Sequence, residues 1–289
     1  MPRQHIADRL SGRRAFSLME LMIVIAVISV LLGLLMPGLT RVRQTTYRVL
    51  SASNQRTLGQ GLEMWSGHRR GRLPESRVLV NAEEGEQPDL GELMRTYAPL
   101  TEDELLAGLG GAYTTLRKPG QRGRRKVSGW YTAKSGWDGL GHLFAQGLVP
   151  DSSVFYSPAH WGVHPHERYE EDWVSPMSGP DSQPSTLIYG NYHYLGHLGE
   201  DGRAIRADRD PMQIVVTDGM RRRSDLSHRT GMNVLRADGS VQWKSKPTLL
   251  NTLPTEDSGG FSIVSHNSVI RGIFADPWKP AASDGDGNP

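Results

Sequence analysis

The chain has 289 residues and no cysteine. That absence excludes disulfide staples, thiolate-ligated zinc, iron–sulfur clusters and thiol catalysis. Neither sign of charge dominates. Lysine plus arginine is 33 and aspartate plus glutamate is 31, a formal net charge of +2. Electrostatics therefore gives no general reason to expect a specific nucleic-acid partner. The glycine fingerprints of phosphate and dinucleotide binding are missing, as is the G-x-S-x-G elbow of many hydrolases. Serine, histidine and aspartate are too scattered to name a triad. No cofactor is implied, and nothing makes a positive case for an enzyme. The apolar content is that of an ordinary globular protein, which argues against wholesale disorder.

One segment departs from this average. The first 14 residues are basic, with Arg3, Arg9, Arg13 and Arg14 against the single acid Asp8. Residues 21–40 then carry no charge and are nearly all apolar. As a helix, that run spans roughly 30 Å, the thickness of a bilayer's hydrocarbon core. A signal peptide needs a shorter apolar run and a small-x-small end, and Met36-Pro37-Gly38-Leu39 does not supply one. Arginines flank the run on both sides, so the positive-inside rule does not orient it. Glu20 sits at the edge of the apolar run, where a carboxylate is costly unless paired and is a functional candidate by default.

The residues Arg14-Ala15-Phe16-Ser17-Leu18-Met19-Glu20, followed by that apolar stretch, resemble the cleavage and methylation motif of type IV prepilins and pseudopilins. Ala15 stands where that family prefers Gly. The resemblance implies a cut by prepilin peptidase between Ala15 and Phe16, leaving 289 − 15 = 274 residues. It also implies methylation of the new amino terminus and retention of the apolar helix for assembly. The implied partners are the peptidase, like subunits and the assembly platform of a secretion or pilus machine. The implied location is the bacterial cytoplasmic membrane, single-pass, with the soluble part outside the cytoplasm. In such a filament Glu20 pairs with the Phe16 amino terminus of a neighbouring subunit. One ion pair in a low-dielectric bundle can fix the register of otherwise featureless apolar helices.

Pro37 removes a backbone donor and predicts a kink or local loosening. Beyond it Leu39, Val42, Val49, Leu50, Leu58, Leu62 and Trp65 recur at helical spacing. They predict an amphipathic helix that lays one stripe on a soluble domain and ends at Gly67 and the basic turn 68–71. Short helical pieces are expected at 90–94 and 102–109, and a basic loop at 117–126, solvated or polyanion-binding. Residues 139–158 read as a short helix, a turn and a strand end, and 161–184 as a long surface loop. Strands are expected at 187–195 and 212–217, with Arg221-Arg222-Arg223 in a solvent-facing turn.

Residues 232–243 give the clearest short-range signal. Asp238-Gly239 between two β-rich runs predicts a type I′ hairpin. Pairing Ala237 with Ser240 places Val234, Arg236, Val241 and Trp243 on one face, with Val234, Val241 and Trp243 as candidates to meet the long helix. His228, separated by nine residues from Asp238-Gly239, and Asn233 between them resemble the H-X9-DG motif. That motif occurs in a large bacterial family of prepilin-type proteins with expanded soluble domains; the role of its residues is open. A structural clasp from His228 to Asp238 is one reading, and a metal or catalytic dyad the other. The tight turn already gives Asp238 a local job, which favours the clasp.

The best metal candidates are His160, His164, His166 and Glu167, but Gly162 and Pro165 oppose the helix that would align them. The tail 284–288 begins like a calcium loop and stops before any bidentate acid. Trp130, Tyr131, Trp137, Trp161 and Trp173 would make a sugar-stacking face if they shared one. These features keep two alternatives open: a membrane-anchored metal-dependent hydrolase and an anchored sugar-binding module. The expected fold class is α+β, a long N-terminal helix on a small antiparallel sheet with large loop insertions. The expected divisions are leader 1–15, membrane and assembly helix 16–36, amphipathic helix 37–66, soluble domain 67–275 and flexible tail 276–289.

Overall fold

A computed structural model describes residues 17–80, 89–100, 136–174, 184–197, 205–209, 211–228, 230–245, 251, 253 and 263–275. The expected helix at 102–109, the basic loop 117–126 and the tail 284–288 lie outside these, as do Ala15 and Phe16. The chain divides into two units, 1–45 and 46–289. One helix, α1 (Leu18–Gly67), carries residues of both, and its helical assignment is unbroken through Pro37. Its first half is long and apolar enough to cross a membrane and is not buried among the described residues.

In the second unit, the α1 side chains at 51, 55, 58, 62 and 65 are buried. This 4-3-4-3 spacing keeps one face of a 3.6-residue helix inward. The stripe differs from the expected one. Leu58, Leu62 and Trp65 are buried, but Leu39, Val42, Val49 and Leu50 are exposed, and polar Ser51 and Gln55 continue the inward face instead. Apolar periodicity could not see those two positions, because their burial depends on partners elsewhere in the chain. The helix ends as expected. Arg70 (φ 57) and Gly71 (φ 77) turn left-handed, and the Gly71 amide donates to the Ser66 carbonyl at 2.8 Å.

The helix lies on a four-stranded antiparallel sheet of order β3-β4-β5-β6: Tyr192–Tyr194, Ile214–Asp218, Gly231–Arg236 and Val241–Ser245. A separate pair joins β1 (Arg95–Tyr97) to β2 (Ile188–Tyr189). The expected strand at 187–195 is thus split at Gly190-Asn191 between two sheets. Short helices α2 (Arg77–Val80) and α3 (Gly141–Ala145) precede β2, and α4 (Ile263–Phe274) closes the fold. The expected piece at 90–94 is a 3-10 turn.

Two apolar cores lie on the two faces of the sheet. One joins Leu58, Leu62 and Trp65 of α1 to Leu235, Val216 and the aromatic group around Trp137 and Trp173. The other joins Val234, Met232 and Ile214 to Val269, Ile270 and Ile273 of α4. The layers are helix, sheet, helix, an α+β arrangement as expected. Close approach of α1 requires small residues. A Cβ on Gly59 would come within 2.9 Å of Leu235, and one on Gly61 within 2.8 Å of Val149.

Several local expectations are corrected. Residues Ser152–Phe155 form a 3-10 turn capped by Asp151, not a strand end. The segment after Trp161 is anchored rather than a free surface loop, since Tyr169 and Trp173 are buried within it. Arg221 does not simply face solvent: its guanidinium pairs with Glu92 at 2.7 Å. The hairpin does form, but Leu235 pairs with Val241 and Asn233 with Trp243. That is one residue away from the expected register. Only Gly239 has positive φ (81°), and its amide donates to the Arg236 carbonyl. The connection is therefore a type I turn with a glycine bulge, not type I′. A one-residue slip moves a side chain to the other face, so Val234 packs toward α4 while Asn233 and Leu235 meet α1.

The buried stripe makes a direct prediction for the full chain in detergent. Leu58→Ala should lower its unfolding free energy by about 3 kcal/mol, whereas Val49→Ala should stay within about 0.5 kcal/mol. Denaturant titration measures both, and the reverse order would place the wrong face inward.

Candidate functional site

Two sites emerge, one at the start of α1 and one where α1 meets the sheet. At the first, the Glu20 carboxylate accepts from the Ser17 amide at 3.3 Å, and the Ser17 hydroxyl accepts from the Met19 amide at 3.3 Å. This is a local form of the capping box, in which a Ser and an acid three residues later satisfy free amides at a helix start. The S-x-x-E spacing before an apolar run was the signal for it in the sequence. The side chains that follow, from Leu18 through Met36, are exposed wherever described, many by half or more.

At the second site the buried carboxylate of Asp218, at the end of β4, holds α1 on the sheet. Its Oδ1 accepts from the Ser51 hydroxyl at 2.9 Å and from Gln55 Nε2 at 3.2 Å. Its Oδ2 accepts from the Asn233 amide at 2.7 Å. Asn233 completes the seam: its carbonyl accepts from Gln55 Nε2, and its side-chain amide donates to the Arg48 carbonyl. The Tyr192 hydroxyl lies 3.2 Å from Ser51 Oγ. Burial lifts the Asp218 carboxyl to about 6, with the three hydrogen bonds opposing. Sequence reasoning missed Asp218, Ser51 and Gln55. The signal available was the polar pair at i and i+4 interrupting an otherwise apolar stripe.

The motif residues separate into two groups. His228 does not clasp Asp238. Its Nε2 lies 3.9 Å from Asp218 Oδ2, and its ring meets the edge of Trp243, over which the Arg48 guanidinium sits at 4.1 Å. Asp238 is exposed and accepts from the Ser240 amide at 2.8 Å, the local turn role its position allows. Gly239 supplies the positive φ. His228 and Asn233 thus converge on Asp218, while Asp238 and Gly239 shape the turn.

The expected metal candidates diverge. His164 Nδ1 lies 2.6 Å from the Tyr169 hydroxyl, and its Nε2 faces Arg221 at 3.3 Å. His166 Nε2 meets the Ser152 hydroxyl at 3.0 Å. His160 lies 3.9 Å from Asp225, and Glu167 is exposed. Burial, followed by Arg221, pushes His164 down to about 3, and burial pushes His160 down to about 4. Among the described residues no group of three or more ligating side chains gathers. The aromatic face fails as well: Trp137 and Trp173 are core residues while Trp161 is 78% exposed. Trp130 and Tyr131 lie outside the described residues.

Against known families, residues 10–36 match the prokaryotic N-terminal methylation motif. No curated protein and no solved structure matches the chain. The matched segment covers the end of the basic N-terminal stretch, Glu20 and most of the apolar run. It is a pilin-type motif and supports a type IV pilin-like subunit processed by prepilin peptidase. Together with the apolar helix it fits a membrane-anchored protein.

Because the imidazoles at 160, 164 and 166 point to different partners, chelation should leave the melting temperature unchanged within about 1 °C. A structural metal would instead contribute several kcal/mol to folding. A thermal scan of the full chain with and without EDTA measures this, and a clear drop would restore the metal reading.

Proposed function

We propose that the chain is a pseudopilin or type IV pilin-like subunit that assembles through α1 into a secretion- or pilus-type filament. The observation that carries this reading is the methylation motif running directly into a 50-residue helix. The apolar first half of that helix finds no cover among the described residues. Apolar surface of that extent needs lipid or other helices. Both are supplied in turn if the subunit is first held in a membrane and then packed among like subunits.

In this reading residues 1–15 are the leader removed by prepilin peptidase, and Phe16 becomes the methylated amino terminus. Residues 16–36 span the cytoplasmic membrane once. The rest of α1 and the α+β domain to about residue 275 lie on the extracytoplasmic side, followed by a tail at 276–289. Glu20 aligns neighbouring copies by pairing with a Phe16 amino group. Before that step its carboxylate caps its own helix through Ser17, so pairing exchanges one partner for another. His228, Asn233, Asp238 and Gly239 belong to an H-X9-DG signature whose job is to seat α1 and shape the adjacent hairpin.

Mass spectrometry of the native protein should find a 274-residue chain beginning at N-methylated Phe16. Glu20→Ala should leave membrane insertion intact and reduce co-assembly by about tenfold or more, equivalent to ~1.4 kcal/mol per contact. Crosslinking of neighbouring subunits reads the second result. A leader still attached in the native protein, or assembly indifferent to Glu20, would overturn the proposal.

A further inference from the structure

The seat of α1 raises a question of charge. The Asp218 carboxylate is buried, and its bonded neighbours, Ser51, Gln55 and Asn233, are all neutral. Among the described residues no arginine or lysine pairs with it; Arg48 on α1 is instead placed over Trp243 of β6. Tyr192 of β3 faces the same pocket, and burial followed by Asp218 itself keeps its phenol protonated. The basic group that does face the carboxylate is His228. Its Nε2 is buried and makes no hydrogen bond among the described residues, and it lies 3.9 Å from Oδ2, a small side-chain movement from contact. A buried carboxylate beside a buried imidazole, with Arg48 the other charge that reaches the imidazole, is placed to titrate as one unit.

We propose that His228 and Asp218 share a single proton, so that the carboxylate seating α1 on the sheet is compensated and the seat is insensitive to pH across the acid-to-neutral range. The inference concerns the soluble unit and holds whichever assembly the chain enters. It gives the histidine of the sequence motif a task as a positioning residue, acting on α1 through Asp218.

The signs follow from the two environments. Asp218 alone, lifted by burial from 3.8 to about 6, would bring stability that is lost as pH rises from 3.8 through 6. His228 alone, lowered by burial and then by Arg48 from 6.5 to about 4, would bring stability present above 6.5 and lost as pH falls toward 4. The two slopes are opposite and share one window. Between about 4 and 6 the folded pair and the unfolded pair each hold one proton, so no net proton is exchanged on opening and the pH dependence cancels.

The test is amide hydrogen exchange by mass spectrometry on the full chain in detergent micelles from pH 4 to 7. The α1 amides at 48–62 are read after division by intrinsic rates, with α4 as internal control. Wild-type protection at 48–62 should be flat. In Asp218→Asn it should fall by more than about tenfold as pH drops, and in His228→Phe by more than about tenfold as pH rises, since each is a shift of about two pK units unmasked. The double variant should be flat again at a lower level. Should the single variants fail to fold, His228→Gln and the wild-type measurements decide. In wild type the deuterium exchange of the imidazole C2 hydrogen should report the two steps of the coupled pair rather than a single His228 step. Equal pH slopes in wild type and single variants, a sloping wild type, or a single independent His228 step would overturn the proposal.

Discussion

The unit formed by residues 46–289 depends on a carboxylate placed where water cannot reach it. Asp218 closes β4 beneath α1 and accepts from two α1 side chains and one β5 amide. A buried polar group left unmatched costs roughly 1–3 kcal/mol. The hydrogen bonds therefore act chiefly as a constraint: only one rotation and one height of α1 bring Ser51 and Gln55 to Oδ1 together. The apolar residues further along, Leu58, Leu62 and Trp65, supply most of the driving force, but apolar contacts are tolerant of small shifts. The polar end of the stripe is what makes the seat specific.

That division also explains the glycines and the hairpin. With the rotation of α1 fixed, Gly59 faces Leu235 and Gly61 faces Val149, and a Cβ at either position would have to push the facing side chain aside. Leu235 must then point to α1, which fixes the parity of β5: Asn233 points the same way and Val234 the other. The glycine bulge after Asp238 brings Val241 and Trp243 opposite Leu235 and Asn233, so both halves of the hairpin present one face to the helix. Trp243 can then lie between Arg48 and His228. The second face, with Met232 and Val234, is left for α4.

The first half of α1 obeys a different constraint. Its apolar side chains have no counterpart among the described residues, and its start is satisfied locally by Ser17 and Glu20. A helix that is apolar all round and capped by its own residues is suited to lipid and to neighbours of its own kind. The same continuous helix thus carries two unlike surfaces, one uncovered among the described residues and one matched to a sheet by hydrogen bonds and shape.

Much of this was legible in the residues. The uncharged run at 21–40 predicted a bilayer-length helix, and left-handed turning at Arg70-Gly71 ended α1 where the glycine and basic residues stand. The Asp-Gly pair announced a hairpin, and β-rich runs located β4 and β5. Local chemistry decides such features within a few residues of chain, so sequence is sufficient for them. What required the tertiary structure was every choice between two faces or two partners. Ser51 and Gln55 are buried only because Asp218, more than 160 residues later, meets them. The hairpin register turned on a bulge that composition does not distinguish from a tight turn. His228 meets Asp218 rather than Asp238 because strand pairing brings β4 beneath it, and the clustered histidines at 160–166 part because each finds a different buried neighbour. Contacts between distant parts of a chain are set by packing of the whole, and no local pattern encodes them.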